Sequence, residues 1–223
     1  MNITELNNPS LNDIVMANEW ASHFDWGDVI PGTISTLSER CVDYVDNKIV
    51  LSTRKELSPG FFYCENHREE QNNRYSTGAF ITNKEFGYGE FTFDIEVESC
   101  LGLNFIAGLT TDAFDQYLLA LKCNRDGSIL ERLIYKSVAM MNGETNKRNI
   151  SVPFTKHFNV TIYWTPTISC VTINGIRGLV ITDKDSIPYK GMRFSLVMTI
   201  NDAIQDPHQL PYIHLNSFKY VKL

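Results

Sequence analysis

Three carboxylates alternate along one short stretch of the chain, Asp94-Ile95-Glu96-Val97-Glu98. Successive side chains of a β-strand point to opposite faces, so Asp94, Glu96 and Glu98 share one face. Carboxylates crowded in this way raise the pKa of at least one of them, which can create an acid/base pair. The same pattern is typical of the solvated face of an antiparallel strand whose apolar residues face a core. We favour this second interpretation.

Other chemically active residue types lack the spacing that their chemistry needs. The five histidines show no H-x-x-x-H or Cys/His pattern, so we expect no metal site and no cofactor. No serine or cysteine stands in a G-x-S-x-G-type context. Trp20, Trp26 and Tyr63 are candidate sugar-stacking platforms, because an aromatic face packs against sugar C–H groups. Core or interface packing is the more common role of such aromatics.

The bulk composition bounds the protein class. A chain of 223 residues with 43% apolar residues can form one domain with a substantial core. The net charge of −6 argues against nucleic acid as a partner, and the nearest basic run, Lys147-Arg148, is interpreted as a solvated loop. No apolar run approaches the roughly 20 residues that cross a bilayer, so we expect no membrane insertion.

The cysteines and the first residues bear on the compartment. Five scattered cysteines without C-x-x-C spacing predict free thiols in a reducing compartment and no disulfide. The stretch MNITELNNPSLND has neither a basic nor an apolar signal region, so we expect synthesis in a cytoplasm without export. A glycan-directed protein made in this way would fit a virion, as a phage capsid decoration or a tail-associated component.

Many short strands separated by turn residues predict an all-β fold. Turn chemistry stands at Asp46-Asn47, Asn142-Gly143 and Asn174-Gly175. Such spacing favours an antiparallel two-sheet β-sandwich. We expect residues 31–223 to form this sandwich and residues 1–30 to form an N-terminal arm or docking segment, with a short helix from Ser10 to Ala17. The predicted strands lie near 40–45, 48–54, 75–82, 88–98, 102–109, 115–122, 129–135, 158–164, 168–174, 176–181, 192–200 and 212–222.

The order of these strands resembles a known family. Residues 75–98, YSTGAFITNKEFGYGEFTFDIEVE, are similar to the Y-T-S-G-x-I-x-T … F-x-Y-G-x-F-E stretch of glycoside hydrolase family 16, the laminarinase-like members of the concanavalin A-like jelly rolls. Weaker similarities follow in family order at 45–56, 158–166, 171–175, 191–198 and 218–222. The resemblance implies two antiparallel sheets packed face to face, with sugars lying across a concave face.

The same resemblance indicates where the catalytic carboxylates would lie and implies that other residues stand there. The family's two carboxylates come from one strand, which corresponds here to 115–121, DQYLLAL. Asp115 then replaces the nucleophile, Tyr117 the middle Asp, and Leu119 or Ala120 the acid/base Glu. One carboxylate cannot perform both roles, so we expect no catalysis. If the concave face still binds sugar, Asn104, Asp115 and Tyr117 line it, because alternation places Asp115 and Tyr117 on one side of their strand.

Three functional hypotheses follow from this pattern. The first is a non-catalytic lectin-like sandwich that binds a glycan or polysaccharide on the scaffold of a glycoside hydrolase, a pseudoenzyme. The second is a purely structural protein that binds other subunits of an assembly. The third is an active glycoside hydrolase that uses relocated carboxylates, Glu96 and Glu98. The first is favoured.

Overall fold

A computed structural model describes residues 3–5, 34–64, 67–82, 84–98, 102–111, 117–123, 129–135, 146–151, 155–184, 187–201 and 210–223. The predicted helix at Ser10–Ala17 and the predicted boundary near residue 30 lie outside these ranges. The described part of the chain consists of strands, with one 3-10 turn at Glu39–Cys41. The strands are β1 (Ile3–Glu5), β2 (Ser35–Leu37), β3 (Val42–Val45), β4 (Lys48–Leu51), β5 (Thr53–Cys64), β6 (His67–Thr77), β7 (Ala79–Ile81), β8 (Gly89–Val97), β9 (Leu103–Thr110), β10 (Tyr117–Cys123), β11 (Ile129–Tyr135), β12 (Asn146–Ser151), β13 (His157–Trp164), β14 (Ser169–Ile173), β15 (Ile176–Ile181), β16 (Arg193–Ile200) and β17 (Ile213–Lys222).

The strands form two large sheets and one small one, which confirms the predicted jelly-roll β-sandwich. The eight-stranded sheet has the order β15-β14-β13-β8-β17-β4-β3, and β1 pairs with the end of β17. The six-stranded sheet has the order β12-β11-β10-β9-β16-β7. The third sheet, β2-β6-β5, contains the one parallel pairing among the described strands, between β2 and β6.

The core lies between the two large sheets and follows from the alternation in β8. Phe91, Phe93, Ile95 and Val97 are all 0% exposed. Across the interface, the Phe93 ring lies 5.0 Å from the ring of Phe194 in β16. A strand with one apolar face gains by burying it against another sheet, at roughly 25 cal/mol per Å² of apolar surface removed from water.

Two hairpin turns have the backbone that their sequences predict. Asp46 and Asn47, between β3 and β4, have φ values of 50° and 61°. Asn174 and Gly175, between β14 and β15, have φ values of 49° and 77°. Positive φ at both central residues matches the right-handed twist of the flanking strands, and Asn, Asp and Gly tolerate it best.

Two strand assignments from the sequence are wrong. Residues 55–74 were expected to contain no strand, yet most of them belong to the long β5–β6 hairpin. The basic pair Lys147-Arg148 was assigned to a loop, but it lies in β12, at an edge of the six-stranded sheet. A strand at an edge keeps its pairing on one side only, and charged residues there oppose edge-to-edge aggregation.

Candidate functional site

The six-stranded sheet has one face toward the core and one face away from it. In β9, Leu103, Phe105, Ala107 and Leu109 belong to the core, so Asn104, Ile106, Gly108 and Thr110 occupy the opposite face. We call this opposite side the outer face of the six-stranded sheet. Cross-strand register extends it to the neighbouring strands: Thr110 pairs with Arg193 and Tyr117, and Gly108 pairs with Ser195 and Leu119.

Two of the three predicted sugar-binding residues occupy this outer face, at opposite ends of it. Asn104 is half-buried, and its Oδ1 accepts a hydrogen bond from Asn201 Nδ2 at 3.3 Å. Tyr117 begins β10 and pairs with Thr110, six residues along β9 from Asn104. At about 3.4 Å per residue, the two positions are roughly 20 Å apart, so one monosaccharide cannot contact both. Asp115 lies outside the described residues.

One buried polar atom at the Asn104 end has no hydrogen-bond partner among the described residues. Thr199 of β16 pairs with Asn104 across the sheet. The Thr199 hydroxyl is buried and has no hydrogen-bond partner in the described part of the chain. A buried hydroxyl without a partner costs about 1–3 kcal/mol, which a water or a ligand group would offset. This position was not identified from the sequence, because it depends on the pairing of β16 with β9.

The middle of the outer face is closed to solvent. Ile106, Val197 and Ile81 are 3%, 1% and 1% exposed, although none of them faces the core between the two sheets. A sugar therefore cannot contact Ile106, Val197 or Ile81 directly.

The register of β10 fixes the positions of the residues that the resemblance aligns with the family's acid/base Glu. Leu119 pairs with Gly108, whereas Leu121 pairs with Ala107, so the register slips by one residue between them. Ala120 is therefore the extra residue of a β-bulge, and Leu119 holds the outward register position next to Tyr117. Neither residue that could correspond to the family's acid/base Glu carries a carboxyl group.

The alternative pair, Glu96 and Glu98, lies on the other sheet. Both are on the outer face of the eight-stranded sheet, which is the side of β8 opposite its buried phenylalanines. Glu98 Oε1 lies 2.9 Å from Lys156 Nζ, and Glu96 Oε2 lies 4.0 Å from His214 Nδ1. This charged row is built on three neighbouring strands, β13, β8 and β17.

Asp94 completes the same charged row. Its Oδ1 lies 2.7 Å from His157 Nε2 and accepts a hydrogen bond from Asn216 Nδ2 at 2.7 Å. Each of the three alternating carboxylates thus has a basic side chain beside it. The arrangement fits three separate carboxylates, each in contact with a basic side chain, better than a pair that shares a proton.

The electrostatics of Glu98 oppose a role as a proton donor. The hydrogen bond and positive charge of Lys156 lower the pKa of Glu98, and the carboxylate raises the pKa of Lys156 in return. A general acid at neutral pH needs a raised pKa, so that it still carries its proton. Glu98 is instead held ionised.

Neither the histidines nor the cysteines assemble into a further centre in the described ranges. His157 and His214 are engaged with carboxylates, and no group of three or more His, Cys, Asp and Glu side chains among the described residues is arranged to hold a metal ion. Cys41 and Cys170 are free thiols. In the same ranges, no helix is long and apolar enough to cross a membrane.

The aromatic residues considered as sugar-stacking platforms are only partly described by the structure. Trp20 and Trp26 lie outside the described residues, and Tyr63 belongs to β5, where it pairs with Arg68. Trp164 is 1% exposed, and its indole N–H donates to the carbonyl of Pro188 at 2.8 Å. It is a core residue and not a sugar-stacking platform.

Comparisons with known proteins identify the fold. No family model and no curated protein matches the sequence. Among solved structures, the laminarinase catalytic domain from Thermotoga maritima MSB8 is 10% identical with a TM-score of 0.73, covering 100% of this chain and 97% of that one. The fold is the jelly roll of these glycan-cleaving enzymes.

Two further solved structures support the same assignment. The kappa-carrageenase from Pseudoalteromonas carrageenovora, solved with an oligotetrasaccharide of kappa-carrageenan, is 10% identical with a TM-score of 0.71, covering 99% and 93% of the two chains. A β-glucanase from Bacillus licheniformis is 13% identical with a TM-score of 0.64, covering 98% and 97%. At such low identity, the likeness extends to the fold alone, which confirms the architecture implied by the resemblance to glycoside hydrolase family 16.

Proposed function

We propose that this chain is a glycan-binding β-sandwich that does not hydrolyse its ligand. The observation that carries the proposal is the register of β10, because Leu119 and the bulged Ala120 are the residues that the resemblance aligns with the acid/base Glu of the family. Retaining glycosidases need two carboxyl groups roughly 5–5.5 Å apart, one to attack and one to donate a proton. Of the residues aligned with this pair, only Asp115 carries a carboxyl group.

Residues on or next to the outer face of the six-stranded sheet carry groups that can recognise sugars. Tyr117 offers an aromatic ring with a hydroxyl, and Asp115 is a carboxylate that can accept from sugar hydroxyls. Asn104 carries both a donor and an acceptor at the far end of the sheet. Because Asn104 and Tyr117 are about 20 Å apart, we expect an oligosaccharide rather than a single sugar.

The active-hydrolase hypothesis is retained as an outcome of the test. Glu96 and Glu98 belong to the eight-stranded sheet, away from the face with Tyr117 and Asn104, and Glu98 is held ionised by Lys156. Reducing-end assays on laminarin, lichenan and agarose should detect no turnover. Robust turnover that disappears in Glu96→Gln or Glu98→Gln would replace the binding proposal by the hydrolase.

A glycan array with a multimerised protein tests binding itself. Single-site affinity should be weak, and display in many copies raises avidity. Tyr117→Ala and Asp115→Ala should each remove array binding, while Asn104→Ala should weaken binding to longer oligosaccharides only. Tyr44→Ala, an exposed tyrosine in β3 of the other large sheet, is the matched control and should bind like the parent. Uniform silence on the array would reject the proposal.

A second candidate is a structural assembly protein, and the β5–β6 hairpin favours it. From Ser58 to Cys64 and from His67 to Asn73, these strands pair with each other and with no other described strand. An isolated two-stranded hairpin is marginally stable in water, so a partner subunit would stabilise it. The virion setting that the sequence predicts for a glycan-directed protein belongs to the first proposal, and a structural role in such a particle would fit this second candidate as well.

The hairpin can be shortened to test the assembly role. Ser58 pairs with Asn73, so replacing residues 59–72 by Asn-Gly closes a two-residue turn at that pair. If the hairpin mediates assembly, light scattering should show oligomers for the full chain and monomers for the shortened one. Equal masses for both would exclude this role for the hairpin.

A further inference from the structure

Three polar side chains from three neighbouring strands meet on the outer face of the eight-stranded sheet. His157 Nε2 of β13 lies 2.7 Å from Asp94 Oδ1 of β8, and Asn216 Nδ2 of β17 lies 2.7 Å from the same oxygen. Asn216 Nδ2 is also 3.3 Å from His157 Nε2. The three atoms are therefore mutual neighbours, and we call these three residues the His-Asp-Asn triangle.

A β-bulge in β17 brings Asn216 into the triangle. Leu215 pairs with Ile95 and Ser217 pairs with Asp94, so Asn216 is the extra residue between them. A bulge re-aims a side chain, and bulges are common beside functional sites. Regular pairing of β17 with β8 would give Asp94 one opposite residue instead of two.

The other two members of the triangle are held in place and remain open to solvent. The carbonyl of His157 accepts hydrogen bonds from Thr155 Oγ1 at 2.7 Å and from Asn174 Nδ2 at 3.3 Å, which fixes the start of β13. Asp94 belongs to β8, the middle one of the three strands. The side chain of His157 is 61% exposed and that of Asp94 is 18% exposed. A small ion can therefore reach the triangle from solvent.

Protons do not satisfy all three contacts at once. A hydrogen on His157 Nε2 serves the Asp94 carboxylate, but it then meets an N–H of Asn216 instead of a lone pair. A neutral Nε2 accepts from Asn216, but its lone pair then lies against the carboxylate. One contact is unfavourable in either tautomer. Asn216 Oδ1, in addition, is buried without a hydrogen-bond partner among the described residues.

We propose that the His-Asp-Asn triangle binds a divalent transition-metal ion such as zinc. A half-turn of the Asn216 amide places Oδ1 where Nδ2 lies, and Oδ1 gives up no hydrogen bond when it moves. Ligand atoms about 2.0–2.2 Å from zinc stand roughly 3.0–3.4 Å from one another. The observed separations of 2.7 and 3.3 Å need only a small expansion to match. Imidazole suits zinc, whereas calcium and magnesium prefer oxygen ligands.

The ion joins three strands at the centre of the eight-stranded sheet. Three protein ligands leave the fourth position of a tetrahedral zinc ion to water. Because the triangle exists only in the folded chain, binding stabilises the fold. The expectation of no metal site rested on sequence spacing, which cannot indicate ligands from three separate strands. The inference is independent of the proposed glycan binding.

Calorimetric titration of the whole, untagged chain with zinc chloride tests the site. The parent should bind one zinc ion at the triangle. His157→Ala and Asp94→Asn should each weaken that binding about 10-fold or more, since loss of even an outer-shell partner costs 10–100-fold. Asn216→Asp should tighten it, because a carboxylate replaces the amide. Calcium and magnesium chloride should not compete.

A second histidine on the same sheet face provides the matched control. His214 Nδ1 lies 4.0 Å from Glu96 Oε2 and does not belong to the triangle. His214→Ala should bind zinc like the parent. Loss of binding in His214→Ala, with no change in Asn216→Asp, would place the ion at Glu96 and overturn the triangle.

Cobalt separates the triangle from the five cysteines, which also bind zinc. Thiolate ligands give cobalt(II) a strong charge-transfer absorption in the near ultraviolet, whereas nitrogen and oxygen ligands give only its visible bands. The parent should show the visible bands alone, and His157→Ala should lose them. The tightening in Asn216→Asp needs no loss of function, so it decides the matter if the other variants fail to fold. A thiolate band at the tight site, or no zinc binding by the parent, would overturn the proposal.

Discussion

Replacing Gly89 by alanine should strongly destabilise the fold. Gly89 is the first residue of β8, at the centre of the eight-stranded sheet. A Cβ atom there would clash with Cε2 of Tyr220 and would lie 2.6 Å from the carbonyl oxygen of Val221. The second contact is to the backbone of β17, which is hydrogen-bonded to β8 over most of its length. Neither neighbour can be avoided by a simple side-chain rotation.

The Tyr220 ring is fixed by its own packing. It lies 4.7 Å from the ring of Phe91 and 4.9 Å from the ring of Phe86, centroid to centroid. Its hydroxyl donates a hydrogen bond to the carbonyl of Tyr88 at 3.1 Å. Moving the ring away from a new methyl group would break this bond and disturb two buried aromatic contacts.

These contacts set the size of the expected effect. Overpacking a rigid site costs about 1–3 kcal/mol, and loss of the tyrosine hydrogen bond adds about 1 kcal/mol. We expect Gly89→Ala to lower the free energy of unfolding by about 3 kcal/mol. For a domain of this size, that corresponds to a fall in Tm of about 6–12 °C. Urea denaturation followed by tryptophan fluorescence measures the first quantity, and calorimetry measures the second.

Gly87 provides a control two residues away. A Cβ at Gly87 meets no atom within 4 Å, and its φ is not positive. Gly87→Ala should therefore be neutral or stabilise by about 0.4–1 kcal/mol, because alanine restricts the unfolded chain. Equal unfolding free energies for the two variants would refute the steric argument.

Three further predictions concern single contacts. Because Lys156 lowers the pKa of Glu98, their ion pair stabilises the fold above the ordinary carboxyl pKa, and this stabilisation is lost as pH falls through the native pKa. The free energies of unfolding of the parent and of Lys156→Gln should therefore differ at pH 7 and converge in acid. A difference that stays constant with pH would contradict this. Trp164→Phe loses a buried hydrogen bond of 2.8 Å and leaves a small cavity, so unfolding should cost about 2 kcal/mol less in denaturant titrations. Cys41 is 0% exposed and burial raises the pKa of its thiol to about 11; mass spectrometry after N-ethylmaleimide treatment at pH 7.5 should find it unmodified until the protein unfolds.

The sequence predicts the core because the alternation of apolar and polar residues identifies the buried face of a strand. The alternation from Phe91 to Val97 fixes one buried face, and the turn residues Asp46-Asn47 and Asn174-Gly175 fix where two hairpins reverse. The β5–β6 hairpin carries no such signal. Ser58-Pro59-Gly60 is typical of a loop, and the polar run from His67 to Asn73 has no apolar face to predict a strand.

The candidate site depends on pairing between strands, which the sequence of a single strand does not reveal. Alternation along β10 relates Tyr117 to Leu119, but only pairing with β9 places these two positions on the same face as Asn104. The burial of the middle of the outer face could have been predicted from the sequence of β16. β16 is apolar at nearly every position from Phe194 to Ile200, a pattern typical of a strand that is buried on both faces.

The pairing of β1 with β17 has a practical consequence for sequences that are fused to the two ends of the chain. Ile3 lies opposite Val221, and paired Cα atoms in an antiparallel ladder are about 4.5–5.5 Å apart. The chain therefore enters β1 at the corner of the sheet where it leaves β17. Any sequence attached before residue 3 and any attached after residue 222 emerge side by side. A reporter and a surface anchor fused at the two ends would share one corner, and a short linker between the ends would allow a circular permutant opened at the exposed Asn174-Gly175 turn.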